Sequence, residues 1–483
     1  MVPAVVAAAA LTAACAGSSR PDATLQGTAP VTAAAAGAAT KATTAALDPK
    51  AILAATKRAV AYVTNPTGSG SGVLLPSGYV VTNAHVVQPF AQATLTFPGG
   101  ATVDAVPVVG VDAWTDIAVL GPVRVQAAGL DLGAAGDAGA LEQGDRVYLI
   151  GYPDETEKQP TPTITQGIVA RIRAVPEFGT TFLQTDATIA GGQSGGALVD
   201  DHGRVVGISG YSLDGFGIAL RSQDAAASVE RILAGKGSTY RPLPDNAGVI
   251  TGTLHLDARF PVRQLYLATS KLERTVTLKL SDAAAPFQSF DLFDGTMYAS
   301  NGLAEAEYLN ALPAERQAEE RQQLTLVKPT ADGTYTFTVA ADSFPVVYVG
   351  PLKDGGAHDV SFTTGAPVQI VEGLDALAPL SLGATTEGVL NSFDSERGYT
   401  IALRKGQAIN TKLAAPMGSL AVSIEGPGID PAGGTPGTFT LTDETPFAGS
   451  SLDVRFTAPA DGTFTIYVVG QEDVLVGYRL TVS

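Results

Sequence analysis

The chain is nearly devoid of cysteine: Cys15 is the only one in 483 residues, so no disulfide can form within it. Its domains must be held by packed apolar cores, and the length suffices for about three to four of them. Aromatic residues make up only 7% and Met occurs three times, whereas Gly and Pro number 54 and 30. With its many Val and Thr runs, that profile argues against helical bundles and for β-rich domains joined by tight turns. Basic residues are few, 30 against 47 acidic ones for a net charge of −17, and they form no cluster. A nucleic-acid or anionic-lipid surface needs such a cluster, so no nucleic-acid partner is expected. Cys/His clusters and complete calcium loops are missing too, and no metal or cofactor is expected.

Long apolar runs are scarce. Residues 2–14 (VPAVVAAAALTAA) are too short to span a bilayer as a stable helix and read as the core of a secretory signal. Leu11-Thr12-Ala13-Ala14-Cys15 resembles the bacterial lipobox, which implies lipidation of Cys15 and an extracytoplasmic place in the cell envelope or outside it. Contact with membrane is expected only through that anchor. Residues 16–46, nearly all Ala, Thr, Ser, Gly and Pro, have nothing to build a core with and read as a tether.

Asp48-Pro49 then offers an N-cap with proline at the first helical position, predicting a short helix to Arg58. Short β runs follow from Ala59 to Leu220, with Gly68 to Gly72 read as a tight turn, and Ala225 to Leu233 reads as a closing helix.

Within this β region stands Gly191-Gly192-Gln193-Ser194-Gly195-Gly196. A serine hydroxyl is a poor nucleophile without a base and an orienting acid. Of the four histidines, only His85 follows a long apolar strand and precedes another apolar pair, which holds it at the rim of a core. Asp116 opens the apolar run Ile117 to Leu120, where a carboxylate is costly unless hydrogen-bonded, and an imidazole N–H is a suitable partner. The order His85, Asp116, Ser194 therefore suggests a catalytic triad. Gly192-Gln193-Ser194-Gly195-Gly196 also fits the Gly-x-Ser-x-Gly elbow of α/β-hydrolases. That reading needs a strand–turn–helix context and the order Ser, acid, His, and after Ser194 come Gly-Gly-Ala-Leu-Val and a hairpin rather than a helix.

The segments GSGSGV, GYVVTNAHVV, VGVDAWTDIAVL and TDATIAGGQSGGALVD, in this order, resemble a trypsin-like serine protease domain of the HtrA (Deg) branch. The resemblance implies a mainly β protein with a chymotrypsin-like double barrel, roughly residues 59–130 and 140–222, and the active site between the barrels. It implies Ser194 as nucleophile, His85 as general base and acid, Asp116 as orienting acid, and the N–H groups of Gly192 and Ser194 as the oxyanion hole. Thr188 would line the base of the primary pocket. Without a carboxylate there, small or medium apolar residues are expected before the cut. Ser209, Gly210 and Tyr211 would pair with the substrate backbone, and Asp186 is usually structural. Gln193 stands where the branch usually has Asn, and no PDZ-like segment follows residue 222.

The remaining sequence carries a weak tandem repeat: Pro329 to Val339 parallels Pro459 to Val468, each with Asp-Gly leading into an alternating strand. Each copy reads as a β-sandwich, the second similar to bacterial pre-peptidase C-terminal domains. The first carries an insertion, Leu303 to Gln323, expected to be helical and solvated. The expected organisation is a signal with its lipobox (1–15), a tether (16–46), the protease domain (47–236), a linker (237–247) and two β-sandwiches (248–370 and 371–483). The expected activity is a serine endopeptidase acting on extracytoplasmic proteins or peptides. The alternative is an inactive protease fold serving as an adhesion or binding module.

Overall fold

The computed structural model describes residues 46–238 apart from 66–67, 89, 134–140, 154–159 and 214. Beyond them it describes 249–256, 263–267, 270, 272–280, 290–293, 298–300, 324–326, 330–341, 346–349, 358–370, 377–390, 396–417, 420–429, 438–439, 450–470 and 476–483. Cys15, almost all of the tether, most of the 237–247 linker and the insertion from Leu303 to Gln323 lie outside the described residues.

The first element, α1 (Pro49–Thr56), begins as its sequence dictates: the Asp48 carboxylate accepts the Ala51 N–H at 2.8 Å, and proline occupies the first turn. Two closed six-stranded barrels follow. The first contains β1 (Val60–Asn65), β2 (Gly68–Leu74), β3 (Val80–Asn83), β4 (Gln92–Phe97), β5 (Ala101–Asp112) and β6 (Ile117–Leu120), closed in the order β1-β2-β3-β6-β5-β4. One short helical turn, α2 (Ala84–Val87), links β3 to β4. The second contains β7 (Arg146–Gly151), β8 (Thr163–Val175), β9 (Thr180–Thr185), β10 (Ala197–Asp200), β11 (Val205–Leu213) and β12 (Phe216–Arg221), closed as β10-β11-β12-β9-β8-β7. The helix α3 (Ser222–Leu233) then packs Ala225, Val229 and Ile232 inward.

One local expectation is corrected. Gly68 to Gly72 is no tight turn but the first part of β2, paired with β1 from Asn65↔Gly68 to Ala61↔Gly72. The glycines are there for close approach rather than for bending. A Cβ on Gly70 would stand 2.5 Å from the Val86 side chain, and one on Gly72 would stand 2.7 Å from that of Val80.

The C-terminal half is also β. Between 249 and 370 the described strands join in one nine-stranded sheet, because the long strand His358–Ile370 pairs with Val249–Leu256, Arg263–Leu267 and Arg274–Leu280. Its alternating residues Val276, Leu278, Tyr335, Phe337 and Val339 form a separate core. From 378 onward, sheets of five and four strands enclose a shared core that includes Ile401, Leu413, Phe464, Ile466 and Tyr478. The strand after Asp332-Gly333 pairs with Arg274–Leu280, and the strand after Asp461 pairs with Glu396–Leu403.

Candidate active site

The first barrel supplies two of the three candidate residues. β3 ends at Asn83 and the chain turns into α2, whose second residue is His85. Asp116 closes the turn between β5 and β6 at φ +53°, a left-handed conformation that aspartate tolerates better than most residues. The turn brings its carbonyl to the Ala84 N–H at 2.9 Å and to Asn83 Nδ2 at 3.1 Å. Its carboxylate is 1% exposed. Oδ1 accepts the His85 main-chain N–H at 2.9 Å, and Oδ2 lies 2.6 Å from His85 Nδ1. The Tyr211 hydroxyl donates to the same Oδ2. An imidazole whose Nδ1 donates to a carboxylate carries its basic lone pair on Nε2. The ring is 19% exposed, enough for substrate to reach it.

The second barrel supplies Ser194, in the turn that leads into β10. Gly192 and Gly195 both lie at φ +82° there, so the turn needs residues without a Cβ. Gln193 is 2% exposed and locks the turn. Its Oε1 accepts the Ala190 N–H at 2.7 Å, its Nε2 donates to Thr163 Oγ1 at 2.9 Å, and its main-chain N–H donates to the Ala190 carbonyl at 3.1 Å. The Ser194 hydroxyl donates to the Gly210 carbonyl at 2.7 Å rather than to His85. Tyr211, the next residue of β11, has its ring 5.1 Å from that of His85. Two consecutive residues of one strand thus touch the serine on one side and the His–Asp pair on the other.

Ser71 is a site residue that the sequence reading passed over. It is fully buried in β2, yet each of its polar groups serves the other barrel or the strand beside it. Its N–H donates to the Ser194 carbonyl at 2.7 Å and its hydroxyl donates to the Gly192 carbonyl at 2.9 Å. The same hydroxyl accepts the Tyr152 N–H at 2.8 Å, and the Ser71 carbonyl accepts Thr82 Oγ1 at 2.7 Å. Tyr152 is itself fully buried, and burial pushes its phenol up, so the ring stays neutral. The signal was the alternation Gly70-Ser71-Gly72, a polar residue flanked by two positions that must stay small. Ser71→Ala strands the Gly192 carbonyl and the Tyr152 N–H in a buried setting. It is expected to lower stability by about 1–3 kcal/mol, read as a lower urea midpoint with an unchanged slope.

The other expected residues are placed as follows. Thr188 is exposed, with its carbonyl 3.4 Å from Thr165 Oγ1. Asp186 accepts the Ile168 N–H at 2.7 Å. Ser209 is fully buried, and both its main-chain groups are engaged by Gly195 and Gly196, while its hydroxyl donates to the Gln193 carbonyl at 2.6 Å. Gly210 sits at a bulge between Ser209 and Tyr211. Among the described residues no cluster of His, Cys, Asp and Glu could hold a metal ion, and no helix is long and apolar enough to cross a membrane.

Residues 70–208 match the trypsin-like peptidase domain family. The chain is 33% identical over 192 residues to the serine protease Do-like HtrA of Bacillus subtilis, covering 36% of this chain and 41% of the relative. It is 35% identical over 178 residues to the serine endoprotease DegS of Escherichia coli, covering 34% of this chain and 48% of the relative. The chain thus spans less than half the length of these curated relatives. A solved serine endoprotease from Yersinia pestis is 29% identical, with 41% of this chain and 71% of that chain covered at a TM-score of 0.35. Residues 70–208 are thus similar to trypsin-like peptidase domains, and the chain to serine proteases of the HtrA and Deg type.

Proposed function

We propose that the chain is a serine endopeptidase that hydrolyses peptide bonds of extracytoplasmic proteins through His85, Asp116 and Ser194. The observation that supports this reading is the pair Gly210-Tyr211: the Gly210 carbonyl accepts the Ser194 hydroxyl, and the Tyr211 ring lies against a His85 whose Nδ1 is already held by Asp116. Ser194 Oγ attacks the scissile carbonyl while His85 Nε2 takes its proton. The tetrahedral oxyanion is met by the N–H groups of Gly192 and Ser194, in a turn that Ser71 and Gln193 fix before substrate arrives. His85 then gives the proton to the leaving amine, and water enters to hydrolyse the acyl-enzyme by the same steps in reverse. In the resting site the Ser194 hydroxyl donates to the Gly210 carbonyl, so attack begins with a rotation of that hydroxyl towards His85. Labelling the purified full chain with a fluorophosphonate tests the reading. One adduct, mapped to the peptide that contains Ser194, is expected; a protein that takes none is an inactive protease fold.

Substrate is proposed to lie along β11 as an added strand. Ser209 already spends both main-chain groups on the nucleophile turn, so the pairing falls to Gly210 and Tyr211. Thr188, with no charge, is proposed for the floor of the primary pocket. Profiling on a peptide library is expected to show small or medium apolar residues before the cut, and a profile dominated by Lys or Arg would overturn that assignment.

A further inference from the structure

The turn that carries Asp116 is held from outside its own barrel. Asp116 sits in the left-handed region, which for a residue with a Cβ persists only where the surroundings over-determine it. Two fastenings come from the closing segment of the protease domain. Ser228 of α3 shares a hydrogen bond of 2.8 Å with Thr115, and Arg231 Nε donates to Asp112 at 3.0 Å. Ser238 takes the Ala113 N–H on its hydroxyl at 2.8 Å and gives its own N–H to the Val111 carbonyl at 2.8 Å.

The third fastening comes from the far end of the chain. In the strand Val476–Val482, the Gly477 N–H donates to the Ala113 carbonyl at 2.9 Å. The Trp114 ring lies directly on Gly477, where a Cβ would fall 2.8 Å from the indole. Two residues on, and so on the same side of the strand, Arg479 covers the ring at 5.4 Å. The same guanidinium lies 5.0 Å from the centre of the Phe178 ring, which stacks on Trp114 at 5.5 Å. It also donates to the Glu177 carbonyl at 3.2 Å and pairs with Glu387 at 2.8 Å. Val389 of the same sheet packs against the core of the first barrel. Trp114 belongs to the barrel that carries His85 and Asp116, and Phe178 to the barrel that carries Ser194. One strand of the C-terminal sandwich therefore grips both barrels, two residues away from the acid.

We propose that the C-terminal β-sandwich is an intramolecular brace for the catalytic-acid turn, with Gly477 and Arg479 as positioning residues that act through Trp114 on Asp116 and His85. The proposal rests on the protease reading, since it assigns these residues to the reaction of that site. A brace of this kind acts on the chemical step rather than on substrate affinity, because no part of it touches the substrate edge at β11.

The test uses the full chain and the fact that Trp114 is its only tryptophan, so emission reports docking independently of catalysis. Gly477→Val and Arg479→Ala are compared with wild type by tryptophan emission, by the rate of fluorophosphonate capture and by kcat and KM on a peptide substrate. A misplacement of about 1 Å costs up to about 100-fold, so a red-shifted emission and a 10- to 100-fold loss in capture rate and kcat are expected, with KM nearly unchanged. Arg479→Lys, which keeps the charge but not the stacking plane, is expected to fall between Arg479→Ala and wild type. Emission that shifts while capture and kcat hold would overturn the brace, as would unshifted emission in Gly477→Val. Failure of the protease reading looks different: the wild type itself is not captured.

Discussion

Ser194→Ala is expected to take up no fluorophosphonate and to lose about 10⁶ in kcat on any peptide that the wild type cleaves. The size of the effect follows from the division of labour in the site. Without Oγ there is no acyl-enzyme, so His85 and Asp116 have no proton to move and only substrate binding and the oxyanion donors remain. Those alone leave about 10³–10⁴ over the uncatalysed rate. His85→Ala should fall about as far, because an unassisted hydroxyl is no better than none, and the double variant should fall no further. Intact-mass measurement of the probe adduct, beside kcat/KM for each variant, checks all three. Persistent labelling of Ser194→Ala would place the nucleophile elsewhere and remove the assignment.

The candidate triad was legible because each member sits in a short segment whose local pattern already limits what it can do. An acid opening the buried strand β6 must find a donor, and His85, at the rim of a core, was the histidine placed to be one. Strand spacing and turns showed a β-rich chain, while the two barrels were implied by the resemblance of its motifs to a known family. What could not be read were roles that arise only from long-range contact. Ser71 and Ser194 are far apart in the chain, yet the first closes the turn of the second. Tyr211 carries the backbone of a candidate substrate edge and also a phenol on Asp116, and no periodicity announces the second role. Trp114 reads as one more apolar residue until Gly477 and Arg479 arrive from the other end of the chain. The glycines at 70 and 72 show the converse. Their meaning was misread as a turn because glycine serves bending and close approach alike, and only the neighbours Val86 and Val80 distinguish the two.

That ambiguity makes Gly195 the sharpest probe of the nucleophile turn. Gly195→Ala is expected to impair both folding and catalysis, for two separable reasons. At φ +82° any L-residue meets the left-handed penalty of about 1–2 kcal/mol. Its Cβ would also fall 2.1 Å from the Ser71 carbonyl oxygen and 2.4 Å from Thr82 Oγ1, and the first of these is backbone that cannot rotate away. Gly215 supplies the control. It has the same φ of +82° but nothing within 4 Å of its added Cβ, so Gly215→Ala carries the conformational penalty alone. The difference in urea midpoint between the two variants therefore measures the clash itself. Relief of the clash has to come from moving Ser194 away from Ser71, which shifts the Ser194 N–H by a fraction of an ångström. Losing one oxyanion donor costs about 10²–10³ in kcat, so Gly195→Ala should lose activity on that scale while Gly215→Ala keeps nearly all of it. Equal behaviour of the two variants would mean that the turn is free to relax and that the contact between Ser71 and Ser194 does not preorganise the site.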